Sequence, residues 1–277
     1  MFDIEAVVTP ATREAMFARV RRHTGIVMAE RKWTLLHGRL RRRVQALKLP
    51  GYDDYIAVLD SSKDEVAHFI DLVTTNETSF FRTPRIWQYL ETEFFPAWYA
   101  ANAGGTMTIW SAAASTGEES YSLAMLAEEF RKTHRDFSYR ILGTDIAQGV
   151  LDVGVAGHYA GRNADGLKNA RPRMVQTYFE HREGAYHVVP SLRTGLTFQQ
   201  HNLYQRLPGP PRFDLVLLRN VLIYFDEAGQ EAVVENVRQA MLPDAVLVIG
   251  ESESLHRIAT GFTYQKPLIY RNAKLAG

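Results

Sequence analysis

The stretch Ser111–Ser122, read S-A-A-A-S-T-G-E-E-S-Y-S, lies between an apolar run, Met107 to Trp110, and a helical run, Tyr121 to Phe130. A strand, a turn of small residues and a helix in that order form the place where an α/β fold receives a nucleotide-like ligand. Small side chains let the backbone approach a ligand closely, and Gly117 supplies a permissive φ. The helix opening near Gly117 directs N–H groups and partial positive charge into the turn. Neither G-x-x-x-x-G-K nor G-x-G-x-x-G occurs, and Glu118 and Glu119 would repel a phosphate. The two acids suit a ligand with a positive amino group, or they merely complement the helix dipole. The stretch alone leaves both readings open.

Working outward, strand-like runs follow at Tyr139–Thr144, Leu196–Gln200, Phe213–Leu218, Val246–Gly250 and Leu268–Asn272. Helix-like stretches alternate with them at Glu118–Lys132, Ala147–Val155 and Glu227–Met241. Such alternation predicts a mostly parallel sheet with helices on both faces. The interval Gly157 to Leu196 breaks the rhythm, and its short pieces Tyr186–Val189 and Leu196–Gln200 suggest a small inserted β-hairpin subdomain. Before Gly105 the chain reads as helices. Thr9-Pro10 starts one and Gly25 stops it; a second spans about 30–47; Ser62-Lys63-Asp64-Glu65 is a capping box; Thr83-Pro84 opens an aromatic-rich helix to about Tyr99. The expected layout is a helical domain over 1–85, a linker helix and loop over 86–105, and an α/β domain over 106–277 with an insertion at about 157–200.

The 277 residues carry enough apolar sequence, 46%, for a real core. Zero cysteines exclude disulfides, thiolate-bound metal and cysteine nucleophiles. Met1 to Glu5 lacks a basic-then-apolar pattern, and no apolar run nears the ~20 residues of a membrane span. A cytoplasmic protein is expected. The net charge of +1 hides an uneven distribution: from Arg21 to Pro50 nine Lys/Arg face one acid, Glu30. Arg39, Arg42 and Arg43, three and four apart, share a helix face, which is either a solvated surface or a docking patch.

Several further groups converge on the expected ligand edge. Asp145 ends the second strand, 28 residues beyond Gly117. An acid there caps a helix or accepts both hydroxyls of a ribose, and its pairing with the turn favours the ribose. Arg219-Asn220 and then Tyr224 break out of the apolar run Phe213–Phe225, while His201-Asn202-Leu203 follows another strand. Asn76 to Arg82, N-E-T-S-F-F-R, sends an arginine and two phenylalanines from the helical part. The nine histidines include no H-E-x-x-H or comparable spacing, so no metal is expected. No G-x-S-x-G elbow occurs.

These marks resemble the CheR family of chemotaxis receptor methyltransferases over nearly the whole chain. The matching motifs are N-x-T-x-F-F-R at Asn76–Arg82, S-A-A-x-S-T-G-E-E at Ser111–Glu119, T-D-I at Thr144–Ile146 and R-N-V-x-I-Y-F at Arg219–Phe225. Ser120 stands where many members have proline. The resemblance implies a Rossmann-like class I fold dependent on S-adenosylmethionine (AdoMet), with an N-terminal all-helical domain and a small inserted antiparallel β-subdomain. It implies methyl-esterification of glutamates on receptor cytoplasmic helices. It also implies that Asn76, Thr78, Arg82, Ala112, Gly117, Glu118, Asp145, Ile146, Asn202, Leu203, Arg219 and Asn220 hold the cofactor, with Arg82 and Tyr224 near the transferred methyl. The family's β-subdomain can bind a receptor's C-terminal peptide. The hairpin here, between Phe179 and Asn202, is short beside peptide-binding members, so that tether is not carried over.

The expected chemistry agrees with this. A glutamate acceptor, of ordinary pKa about 4.3, is already ionised at neutral pH and needs no general base. Orientation then carries the reaction, with Phe80 and Phe81 expected as a water-excluding lid. The partner expected is the cytoplasmic signalling domain of methyl-accepting chemoreceptors, docked on Arg39, Arg42 and Arg43; no nucleic acid is expected, and the chain is expected to act as a monomer. Two alternatives are an RNA or other protein methyltransferase, whose Pro-Cys or N-P-P-Y marks are missing here, and a non-catalytic AdoMet-binding adaptor.

Overall fold

A computed structural model describes residues 8–161, 163–164, 166–167, 171–210 and 212–273; the reading of Met1–Glu5 falls outside them. Helices α1 (Pro10–Thr24), α2 (Trp33–Ala46), α3 (Tyr52–Ser61) and α4 (Lys63–Val73) form the N-terminal part. Two of their starts follow the sequence signals, although only half of the expected capping box forms: the Glu65 carboxylate pairs with Arg43 and Tyr55, and the Ser62 N–H donates to the Val58 carbonyl. The Thr9 hydroxyl caps α1 by accepting from the Thr12 N–H, with Pro10 at the first turn, and the Ser62 hydroxyl caps α4 by accepting from the Glu65 N–H. Helix α3 escaped the sequence reading. It opens at Gly51 without a side-chain cap.

These helices enclose their own core, centred on the fully buried Met16, Val20, Leu36, Leu40, Tyr55 and Phe69. A second, larger core begins at Phe80 and takes in Trp87, Leu90 and Phe95. Helix α5 (Pro84–Tyr89) and α6 (Phe95–Ala101), joined by a π-helical turn over Leu90–Phe94, therefore pack on the sheet as part of its core. Pro96 lacks the N–H that a regular turn would use, which accounts for the widened turn just before it.

The sheet comprises β1 (Thr106–Ala112), β2 (Ser138–Asp145), β6 (Leu196–Gln200), β7 (Phe213–Leu218), β8 (Met241–Ile249), β9 (Phe262–Lys266) and β10 (Ile269–Asn272). Its order is β6-β2-β1-β7-β8-β10-β9. The first five run parallel; β10 is antiparallel to both its neighbours. Helices α7 (Glu118–Thr133), α8 (Gln148–Ala156) and α11 (Glu227–Ala240) make the crossovers. Strand order reverses between β1 and β7, so the ligand crevice of such a sheet falls at their carboxyl ends.

The insertion holds β3 (His158–Tyr159), α9 (Pro172–Tyr178), β4 (Phe179–Arg182), β5 (Ala185–Val188) and α10 (Pro190–Arg193). Its strands form a separate antiparallel sheet ordered β3-β5-β4. One expectation is corrected here. Leu196–Gln200 is not part of the hairpin: it pairs in parallel with β2, from Ile141↔Leu196 to Asp145↔Gln200. The hairpin is instead β4–β5, turned by Glu183 and Gly184 at φ 54 and 76. The strand-like pattern of residues 196–200 cannot say which sheet will claim it.

Candidate active site

The cleft at the carboxyl ends of β1 and β7 opens beneath the segment joining the two cores. Asn76, Thr78 and Arg82 from that segment line it, facing Asp145 and Ile146 from β2, Asn202 and Leu203 after β6, and Arg219, Asn220 and Tyr224 after β7. Ten of the expected residues thus meet around one space. Ala112, Gly117 and Glu118 do not reach it; the turn presents Ala113, Ser115 and Glu119 instead.

The reason lies in the turn. Ala113 and Ser115 adopt φ 66 and 50, values that L-residues rarely take, and Gly117 follows at 92. Gly117 serves packing behind the turn: a Cβ there would meet the Phe198 ring at 2.9 Å. The next helical residue but one faces the cleft. Glu118 points away and is fully buried; the Thr116 hydroxyl donates to its Oε2 at 2.6 Å, Oε1 has no partner, and burial pushes its carboxyl up. Glu119 accepts from the Ser111 hydroxyl and from Arg219 Nη1, each at 2.8 Å. Burial pushes the Glu119 carboxyl up as well, opposed by the Arg219 charge.

Asp145 is almost entirely buried, yet its carboxylate is positioned rather than free. Oδ2 accepts from the Ser115 N–H at 2.9 Å and Oδ1 from the Ala147 N–H at 3.0 Å. Burial raises its pKa against the pull of these N–H bonds. An ionised carboxylate offers about four lone-pair sites, so two remain for a diol. That is an observable fit to a nucleoside. His201, also in the wall, is buried with no partner at Nε2, and burial lowers its pKa.

The joining segment is tied at both ends. Arg39 Nη1 donates to the Val73 and Thr74 carbonyls at 2.6 and 3.0 Å, and its Nη2 donates to Thr75 Oγ1 at 2.9 Å. The Ser115 hydroxyl donates to the Asn76 carbonyl at 2.9 Å. Phe80 and Phe81 are not a lid. Both are buried in the larger core, Phe80 edge-on to Tyr159 and Phe179, Phe81 edge-on to Trp87, with the Phe81 N–H bonded to Ser122 Oγ. Arg82, next in sequence, is exposed and donates at 3.3 Å to the Glu77 carbonyl. The Tyr224 carbonyl accepts from the Val27 N–H at 2.9 Å, so the helical part grips the cleft's far lip.

Of the basic face, only part is free. Arg43 forms a bidentate pair with the buried Glu65, at 2.5 Å between Nη2 and Oε2, and Tyr55 donates to the same carboxylate at 2.8 Å. Burial alone would push Glu65 up, but its bonds to Arg43 and Tyr55 win and hold it below the usual range. Arg41 and Arg42 stay exposed beside a shallow groove between α2 and α4. Among the described residues no cluster of three or more His, Asp or Glu could hold a metal ion.

A cleft of this kind, at the switch point of a Rossmann-like sheet and walled by a buried acid at a strand end, is where folds of this class take a nucleoside-bearing ligand. The comparisons narrow the class. Residues 12–74 match the CheR methyltransferase all-alpha domain, and residues 76–267 match the CheR methyltransferase SAM binding domain. The chain is 33% identical to the chemotaxis protein methyltransferase of Escherichia coli K12, covering 95% of this chain and 93% of that one. It is 32% identical to the Salmonella typhimurium protein of the same name over 95% and 92%, and 30% identical to chemotaxis protein methyltransferase 1 of Pseudomonas aeruginosa over 84% and 86%. The chain belongs to the CheR methyltransferase family. It is an AdoMet-dependent methyltransferase of chemotaxis, and no helix among its described residues is long and apolar enough to cross a membrane.

Proposed function

We propose that this chain methyl-esterifies glutamate side chains on the cytoplasmic signalling helices of methyl-accepting chemoreceptors. The observation that carries the reading is the engagement of the cleft's buried acids. Glu119 is held by Ser111 and Arg219, and Asp145 by backbone N–H groups, so neither stands free as a base. A carboxylate acceptor, ionised above a pKa of about 4.3, requires none.

AdoMet, when bound, supplies an electrophilic methyl group on a sulfonium with a good leaving group. In this reading Asp145 accepts the ribose hydroxyls, Asn202 and Leu203 line the base end, and Arg82 and Asn220 hold the amino-acid end beside Glu119. Arg82 and Tyr224 flank the acceptor carboxylate and fix its line of approach. Orientation of this kind can supply about 7–11 kcal/mol. The exposed Arg41 and Arg42 steer a glutamate-rich helix toward the groove beside α2, while Arg39 and Arg43 add charge there from positions fixed by internal bonds. Such steering weakens with salt.

Radiolabelled AdoMet offered to the chain with a receptor signalling fragment, with RNA, or with buffer tests this. Base-labile label on the receptor is expected. Label on RNA, or cofactor binding without transfer to any receptor in a panel, overturns it.

A further inference from the structure

Past β8 the chain turns at Gly250, and Glu253 folds its side chain back under the segment that follows β7. Its carboxylate accepts four backbone N–H groups. Oε2 takes Gly250 at 2.6 Å and Asn220 at 2.9 Å; Oε1 takes Val221 and Leu222, each at 2.8 Å. Glu253 is only 9% exposed, and an ionised carboxylate has about four acceptor sites, all thereby filled. Three consecutive amides, 220 to 222, converge on one group. Among the described residues no backbone carbonyl takes them up; the next turn begins with the Tyr224 N–H to the Val221 carbonyl. Buried amides without partners are costly.

The same segment has an unusual backbone: Asn220 sits at φ 60, the left-handed region that most side chains avoid and asparagine tolerates. Asn220 and Tyr224 both line the cleft. The amides at 220–222 that lead from one to the other are held by a residue 33 positions downstream of Asn220. Gly250 completes the arrangement: a Cβ there would meet Glu253 Oε2 at 2.6 Å and the Asn220 nitrogen at 2.9 Å. Neither atom can give without breaking the bonds just described.

We propose that Glu253 is a positioning residue for methyl transfer, acting through the amides of 220–222 to set Asn220 and Tyr224 at the cleft, with Gly250 leaving room for its carboxylate. This rests on the roles given above to Asn220 and Tyr224. Glutamine is not a neutral replacement, since its NH2 would face two of the four donors.

The test uses the full chain and calorimetry with S-adenosylhomocysteine, alongside steady-state transfer to a receptor fragment. Glu253→Gln should weaken S-adenosylhomocysteine binding about 10- to 100-fold, the loss of one or two charge-assisted hydrogen bonds. KM for AdoMet should rise and kcat fall while KM for the receptor stays within about threefold. Gly250→Ala should move the same constants in the same direction. The double variant should be no more than about threefold worse than the worse single, because both break one set of bonds. A merely structural Glu253 would lower the melting temperature yet bind within threefold of wild type below it, and that result overturns the proposal. Should Glu253→Gln fail to fold, near-wild-type binding by Gly250→Ala overturns it equally. Wild-type chain that ignores S-adenosylhomocysteine would sink the cofactor roles themselves, an outcome separate from equal binding by wild type and variant.

Discussion

Asp145→Asn isolates the ribose contact from the architecture around it. The wild-type carboxylate spends one lone pair on Ser115 and one on Ala147, leaving two for the diol. The amide keeps the size and one acceptor oxygen, but its NH2 confronts one of those N–H groups and cannot accept from a hydroxyl. Hydrogen bonds to a charged group contribute about 1.5–3 kcal/mol each. Losing one to the diol, with the mismatch at the backbone added, gives roughly 2–4 kcal/mol, or about 30- to 1000-fold in Kd for S-adenosylhomocysteine. Calorimetry at pH 8 reads this directly. Binding by the variant within threefold of wild type would refute the assignment.

The pH dependence supplies a second arm. Burial, the largest cause, raises the Asp145 pKa in the ligand-free fold. The neutral form is favoured in the folded state, so this group's contribution to stability grows as pH falls. Ligand binding runs the other way, because the ionised form accepts the diol. Wild-type affinity should therefore be full above the raised folded pKa and decline as pH drops through it, whereas Asp145→Asn should show no such decline from this group.

Four other outcomes follow. Tyr224→Phe and Arg82→Ala should each lower kcat/KM for transfer at least tenfold, about 1.4 kcal/mol, with circular dichroism unchanged; full activity in both removes their proposed roles. Arg42→Glu should raise the receptor KM about 3- to 10-fold at low salt and less at high salt, leaving S-adenosylhomocysteine affinity alone; an equal effect at both ionic strengths counts against steering. Glu65→Ala should destabilise the fold by about 1–3 kcal/mol in denaturant titration, chiefly by leaving the buried Tyr55 hydroxyl without its acceptor, since Arg43 is 29% exposed and can turn to water. Because Glu65 is held below its ordinary pKa, its stabilisation is present above the unfolded value and lost as pH falls through the folded one, so Glu65→Gln should flatten the wild-type decline in acid.

Much of this arrangement is legible in the sequence because it depends on local period and punctuation. Strand, small-residue turn and helix around Gly117 place the crevice, and capped helices before Val73 delimit a separate core. The errors arise where a local pattern needs a distant partner. Glu118 and Glu119 both satisfy the motif, and the choice between them is set by positive φ at Ala113 and Ser115, which nothing about alanine or serine announces. Arg39 and Arg43 do share a face, as their spacing requires. That face meets the Val73 and Thr74 carbonyls, the Thr75 hydroxyl and the buried Glu65, partners that lie 22 to 36 residues further along the chain. Phe80 and Phe81, expected as a lid, are core because Tyr159, Phe179 and Trp87 surround them, neighbours that the local sequence does not reveal.

Glu253 is the extreme case. Its only sequence signal is an acid three residues after a glycine that ends a strand, a pattern common to many turns. The information that it organises the lip of the cleft lies in the pairing of β7 with β8, which brings Leu218 opposite Ile249 and so sets the two strand ends side by side. Parallel neighbours in an α/β sheet deliver their following loops to the same edge. A search for acids just past the strand adjacent to a candidate cleft, rather than within the cleft's own motif, would have found it from predicted topology alone.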